Sequence, residues 1–280
     1  MPNFLTRWYN NLLLTSGPRS PEQVAQAIEP DFPPFVPASD PWWLPEPVFT
    51  FTGWPKTVRF LRDIVITEKL DGTNAAVIVR HVTGEEYAAL QYDLYNEDGT
   101  IREESGVILV TSFDDGESYY LVGAQSRNRV ISVHQDNQGF AKWVQANGRT
   151  LAEDLGDGLH FGEFWGSKIG RTYGLADGDR RFSLFNPSFG FGQSFGHPEP
   201  SMDGTYQVKT PGLSVVPVLY EGPLDTAEIR LTLSRLQTGG SRAVPGYTNP
   251  EGIVIYHTHA RKVWGKVTLD NQDAGKWELA

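Results

Sequence analysis

An α+β fold of antiparallel β-sheets flanked by helices is predicted by this sequence, and three features predict it. Short β-branched or apolar runs recur along most of the chain, divided by Gly and Asp-Gly turns. Its 29 glycines and 19 prolines suit many turns better than a helical bundle. Only a few stretches carry helical spacing, and no internal repeat is present.

Residues 1–45 read as an N-terminal extension. Arg7 to Leu14 is spaced for a short helix, and Pro21 to Ile28 for a second, with Ser20 as N-cap and Pro21 at the first helical position. Prolines at 30, 33, 34, 37, 41, 45 and 47 then make an extended connector. Trp8, Tyr9, Trp42 and Trp43 are expected to cover core. The main domain, 46–280, opens with a β-branched run, Ile64 to Thr67. An apolar run, Ala75 to Val79, follows Lys69-Leu70-Asp71-Gly72-Thr73-Asn74. Two strands around Asp-Gly read as an antiparallel hairpin, because Asp-Gly accepts the positive φ of a tight turn.

Gly84 to Glu86 is expected to be the next turn, with strands at Tyr87–Leu94, Gly106–Ser112 and Tyr119–Gly123 joined through Asp98-Gly99 and Asp114-Asp115-Gly116. Helices are expected at 139–147, where Phe140, Trp143 and Val144 share a face, and at 150–155, ending at Gly156. Leu159–Gly166 and Phe182–Asn186 read as strands, and 187–212 as a long Gly/Pro/Ser loop. Leu213–Tyr220 is a strand, Thr226–Leu236 an amphipathic helix, and Glu251–His257 and Val263–Leu269 close the sheet.

At 280 residues the chain can bury a full core, and 39% hydrophobic with 21% charged residues is ordinary for a soluble globular protein. It has no cysteine, which removes disulfides, thiolate zinc sites and thiol nucleophiles together and fits a reducing cytoplasm. The formal charge of −10 gives a polyanion no long-range attraction, so one could bind only through a local basic patch. No apolar run approaches a membrane span and no signal peptide is evident, so a soluble, cytoplasmic protein without a membrane partner is expected.

Two motifs fail on their surroundings. Gly192-Gln193-Ser194-Phe195-Gly196 matches a nucleophile elbow, which needs a strand before it and a helix after it; Pro187 precedes it and His197-Pro198-Glu199-Pro200 follows. The same glycines fail as a dinucleotide fingerprint. His257 and His259 would share a strand face and could pair on a metal, but no third ligand is in view, so solvated or core-edge roles are expected.

The hexapeptide stands differently, because other segments match it. Lys69-Leu70-Asp71-Gly72 has the K-x-D-G form of the covalent nucleotidyltransferases, the ATP-dependent ligases and capping enzymes. The run from Asp63 to Asn74 resembles the RNA ligase family in particular. His160 to Gly166, with its Gly-Glu, resembles that family's third motif, and Arg181 to Asn186 the aromatic motif after it. Glu251 to Ile255 resembles the fourth and Lys266-Val267-Thr268 the fifth, while Gln125 to Asn128 sits where the family carries Ser-Arg. These motifs fall in the family's order across roughly residues 50–270.

The resemblance implies an adenylation domain of nucleotidyltransferase type, related to the ATP-grasp-like ligases, that uses ATP and Mg²⁺ (or Mn²⁺) and acts on RNA ends. Lys69 is implied as the nucleophile that becomes lysyl-AMP. Glu68 is implied at the adenine edge, with Asn74 among the nucleotide-binding residues. Asp71, Glu163 and Glu251 are implied at the metal and its waters, Glu163 also at the ribose. Arg127 is implied on ribose or phosphate, Phe185 stacked on adenine, and Lys266 on the α-phosphate. The chemistry is coherent: a lysine with an ordinary pKa of about 10.4 must lose a proton to attack phosphorus, and nearby cations and partial burial favour that. Mg²⁺ takes oxygen ligands and keeps waters, so separated carboxylates can hold it.

The chain departs from the pattern in three places. Thr268 stands where a second fifth-motif lysine is common, leaving Lys262 as the alternative to Lys266. Asn186 stands where Asp is common. The long spacing from Lys69 to Arg127 suggests an inserted β element at 84–118. About a dozen residues follow Thr268 and no Asp-Lys pair occurs, so no OB domain is expected. Substrate grip in so acidic a chain calls for a patch drawn from Arg127, Arg129, Arg171, Arg180, Arg181, Arg261 and Lys262, or for a protein partner. A DNA-joining ligase on the same scaffold, and a nucleotide- or end-binding module with little sealing activity, remain the alternatives.

Overall fold

Strand β1 (Asp63–Lys69) is β-branched and apolar through Ile64 to Thr67, and the chain passes from its end into the second sheet. The computed structural model describes residues 61–114, 116–186, 208–260 and 262–270, all within the second of two compact units, Thr57–Ala280. The helices expected before residue 30, the boundary near residue 45, the motif at 192–196 and most of the 187–212 loop lie outside the described residues.

From β1 the chain runs through β2 (Thr73–Thr83), helix α1 (Gly84–Leu94), β3 (Val107–Thr111), β4 (Ser118–Ser126), β5 (Val130–Ile131) and helix α2 (Phe140–Leu155). It continues through β6 (Gly158–Gly166), β7 (Arg180–Leu184), β8 (Leu213–Val215), β9 (Val218–Pro223), helix α3 (Thr226–Gly239), β10 (Gly252–His257) and β11 (Lys262–Thr268). Two sheets result. The smaller has the order β11-β10-β1-β9; the larger has the order β3-β4-β2-β6-β7-β8, with β5 on β4. Every pairing is antiparallel except β7 with β8. The architecture is α+β, as the composition and turns predict.

Each sheet buries one face under a helix. Ala75, Val77 and Val79 of β2, Val122 and Ala124 of β4, and Phe164 and Phe182 pack against Phe140, Val144, Leu151 and Leu155 of α2. Ile64 and Ile66 of β1 and Ile253 and Ile255 of β10 pack with Leu236 of α3. Alternation along each strand therefore leaves the other face for function.

The expected hairpin does not form. β1 pairs with β10 and β9, whereas β2 pairs with β4 and β6, so the Lys69 hexapeptide is a crossing between sheets. Neither Asp71 nor Gly72 takes a positive φ. Glycine is needed at 72 for closeness instead: a Cβ there would lie 2.4 Å from the Phe164 carbonyl oxygen and 2.8 Å from the Trp165 Cβ.

Four other expectations change. Tyr87–Leu94 is helix, because Thr83 and Glu86 form a reciprocal capping box ahead of it, so Gly84–Glu86 is its first turn and the 84–118 insert is part helix. Tyr87, Leu90 and Leu94 then pack with Val82 and Leu121. Residues 139–155 form one helix: Gly148 does not break it but lets Leu109 approach, within 2.5 Å of where a Cβ would stand. Leu213–Tyr220 divides at Val216-Pro217, and its halves join different sheets. The strand expected to reach Asn186 ends at Leu184, leaving Phe185 just beyond it.

Candidate active site

Lys69 is the last residue of β1, in register with Gly252, the first of β10. Glu251 precedes that glycine, and the register brings the two side chains together: Lys69 Nζ lies 2.5 Å from Glu251 Oε1, with the side chains 19% and 16% exposed. The other oxygen, Glu251 Oε2, is buried and has no hydrogen-bond partner. Leu70 anchors the strand end, packed with Trp165, Tyr173 and Val216.

Asp71 is fixed at backbone and side chain alike. Its N–H donates to the Tyr173 hydroxyl at 2.8 Å, and its carboxylate lies 3.5 Å from Arg171 Nε. Burial with little compensation pushes the Tyr173 hydroxyl well above the usual tyrosine range, so it stays neutral.

Glu163 reaches the same point from the larger sheet. It pairs with Asn74 across β6 and β2, so the two side chains share a face, and it accepts the Gly72 N–H. Burial pushes its pKa to about 7; Lys69 and Arg127 pull it down and Glu251 pushes it up, so Glu163 feels all three groups. The larger sheet thus supplies Asn74, Glu163 and Arg127, and the smaller supplies Lys69 and Glu251.

A raised carboxylate pKa means that the folded state favours the protonated form. Glu163 therefore supports stability fully below about pH 4.5, and that contribution is lost as pH rises through about 7. Glu163→Gln is expected to be more stable than the parent at pH 8, by about 2 kcal/mol. Urea titrations at several pH values check this: the gap should close toward pH 4.5, and a pH-independent gap would refute it.

The other implied residues fall into two groups. Lys266 pairs with Val254, which pairs with Thr67, so Lys266 stands on the face of the smaller sheet that carries Lys69, two strands away and exposed. Position 262 pairs with His257 beyond a bulge, and His257 lies on the buried face with Ile253 and Ile255. The register therefore favours 266. Phe185 is 41% exposed just past β7, and its N–H donates to the carbonyl of Phe161, itself an exposed aromatic two residues from Glu163 on one face.

Glu68 is 1% exposed. Its Oε2 accepts the N–H groups of Arg242 and Ala243 at 2.7 and 3.0 Å, so it holds the loop after α3, while Oε1 is buried without a partner. His257 also settles: it is buried, and its Nδ1 accepts the Ala260 N–H, while His259 lies in the turn beyond β10. Among the described residues no three His, Cys, Asp or Glu side chains converge to grip a metal directly.

Sequence reading missed Phe161, Tyr173 and Arg171 as site residues. Phe161 was signalled by its period-2 spacing from Glu163; nothing local marked Tyr173, which reaches Asp71 across 102 residues. Arg171 was read only as part of a patch, yet its guanidinium faces Asp71 and Asp270. Arg181 is likewise engaged, forked onto Asp179 and lying over the Trp165 ring. Arg180, Arg181 and the exposed Arg242 line one cleft of about 750 Å³ with Trp143 and Trp165. No described helix is long and apolar enough to cross a membrane.

A search of curated proteins and a search of solved structures each found no match to the chain. The family model for RNA ligase matches residues 62–268, from the residue before β1 to the end of β11. With that match covering both sheets and the crossing that carries Lys69, the chain belongs to the RNA ligase family.

Proposed function

We propose that the chain is an ATP-dependent RNA ligase that joins a 5′-phosphate to a 3′-OH through a lysyl-AMP intermediate on Lys69. The observation that carries this reading is the partly buried Lys69–Glu251 pair, set beside Glu163 where the two sheets meet. An amine in that place, once deprotonated, attacks the α-phosphorus of ATP and releases pyrophosphate. The AMP then passes to the oxygen of an RNA 5′-phosphate, freeing the lysine. Finally the 3′-OH attacks that phosphorus and AMP leaves.

The residues present fit a divalent cation. Glu251 Oε2 is buried with no hydrogen-bond partner, and burial, helped by nearby Glu251, makes Glu163 resist ionising. With no three carboxylates converging, a cation that keeps part of its water shell suits Glu163, Glu251 and Asp71 best. When bound, Mg²⁺ or Mn²⁺ supplies positive charge that offsets the phosphates and disfavours the ammonium form of Lys69.

Around that centre, exposed Phe185 offers a stacking face for adenine, with Phe161 beside it. Glu68 Oε1 is the unfilled acceptor for an adenine amino group. Asn74 and Arg127 flank the ribose side of Glu163. Lys266 shares the nucleophile's face for the α-phosphate.

Incubation with Mg²⁺ and α-labelled ATP is expected to leave a covalent label on the protein, which 5′-phosphorylated RNA then removes and seals. A protein that takes no label overturns the proposal, as does label from GTP alone; faster transfer to DNA than to RNA would reassign the substrate.

The strand is proposed to run over the cleft lined by Arg180, Arg181 and Arg242. Arg242→Glu is expected to weaken RNA binding about tenfold and reduce the salt dependence of binding by about one phosphate contact. Labelling by ATP, which involves no strand, serves as the control. Unchanged RNA affinity would rule this path out.

A further inference from the structure

We propose that Arg171 is a positioning residue that sets the geometry of Lys69 by bracing three separate segments of the site at once; the inference rests on the reading of Lys69 as the nucleophile. Its Nε, buried and without a hydrogen bond, faces the Asp71 carboxylate as a charge contact at 3.5 Å, its second nitrogen donates to the Asn249 carbonyl at 3.3 Å, and its third is ion-paired with Asp270. Each contact lies close in sequence to a residue of the centre. Asp71 is two residues after Lys69, Asn249 two before Glu251, and Asp270 four after Lys266. One planar fork therefore ties together the ends of β1, β10 and β11, where the nucleophile, its carboxylate partner and the phosphate-side lysine are carried.

The surroundings hold the fork itself in place. The Arg171 side chain is 13% exposed, and its carbonyl accepts the Tyr247 hydroxyl at 3.3 Å. Gly170 before it takes φ +52°, and a Cβ there would stand 2.6 Å from the Asp71 carbonyl oxygen, so this segment is pressed onto the nucleophile's turn. Tyr173, two residues on, holds the Asp71 N–H. Aliphatic packing could fill the volume but could not fix three polar segments in direction. A lysine would bring a single point charge and could not bridge all three acceptors.

Orientation of reacting groups responds steeply to small displacements, so loosening this brace slows attack more than it weakens ATP binding. Arg171→Ala is expected to lower the single-turnover rate of Lys69 labelling about 100-fold while the half-saturating ATP concentration changes less than about threefold. Arg171→Lys should recover only part of the rate. Asp270→Ala should cost about tenfold, and Arg171→Ala/Asp270→Ala should be no slower than Arg171→Ala alone, since both remove one brace.

The parent protein, assayed alongside, separates the two levels of the argument: if it takes no label the functional reading fails, whereas a labelled parent with equally fast variants overturns the positioning role alone. A raised ATP requirement with an unchanged rate would show Arg171 binding phosphate directly and also overturns it. Should Arg171→Ala fail to fold, the decision falls to Asp270→Ala and Arg171→Lys, and parental rates in both refute the proposal.

Discussion

Lys69→Ala is expected to lose covalent labelling from ATP entirely, a drop on the order of 10⁴-fold or more, while keeping the ability to seal RNA that already carries a 5′-adenylyl group. The two outcomes separate because, in the proposed reaction, the amine takes part only in capturing and passing on AMP, while the final attack by the 3′-OH needs phosphate-binding groups and not the lysine. Lys69→Arg is expected to be equally inert in labelling, since a guanidinium does not deprotonate in a protein. Both substitutions disturb Glu251, but differently: alanine leaves Oε1 unpaired beside the already orphaned Oε2, whereas arginine can keep the charge pair. Lys69→Ala should therefore melt lower than Lys69→Arg. Label retained in Lys69→Ala would move the nucleophile elsewhere and dismantle the proposed chemistry.

Gly72→Ala is expected to damage stability and labelling together. The added Cβ would meet the Phe164 carbonyl oxygen, the Trp165 Cβ and the Glu163 Cγ at 2.4, 2.8 and 3.0 Å. All three belong to β6, which is locked between β2 and β7, so the crossing must move instead. A destabilisation of roughly 3 kcal/mol is expected, near the upper end for overpacking. Labelling should fall with it even in the folded fraction, because Gly72 N–H would leave Glu163 and Asp71 would leave Tyr173. Urea unfolding and single-turnover labelling at low temperature check the two parts. A variant of parental stability would show that the crossing is looser than its contacts indicate.

The sequence marked the candidate residues more legibly than the topology. Lys69, Glu163 and Glu251 were each marked by a short motif, and the structure gathers them at one place, with Arg127 acting on Glu163. Yet Asp71-Gly72 has the same composition whether it turns a hairpin or slips between two sheets. Only the partners of β1 and β2, distant in the chain, decide the matter. Tyr87–Leu94 differs for a local reason, since the capping box of Thr83 and Glu86 starts a helix where Gly84–Glu86 reads as a turn. Gly148 and Pro217 show the reverse: a glycine that suggested a break sits in a continuous helix, and a proline inside one apolar run separates two sheets. Tyr173 had no local signal and Arg171 only a place in a basic patch, because their contacts are with residues remote in sequence.

The route of the chain has a consequence for how the protein comes into being. It leaves the smaller sheet at Leu70, builds all of the larger sheet from β2 to β8, and returns only at Val216-Pro217. β1 then waits for β9 and β10, and Thr258 closes onto Asp63 across 195 residues of chain. During synthesis the larger sheet has every strand it needs before either partner of β1 exists. The strand that carries Lys69 emerges early and is seated late, after a long-range loop closure. The proposed active site is thus expected to be assembled late in folding.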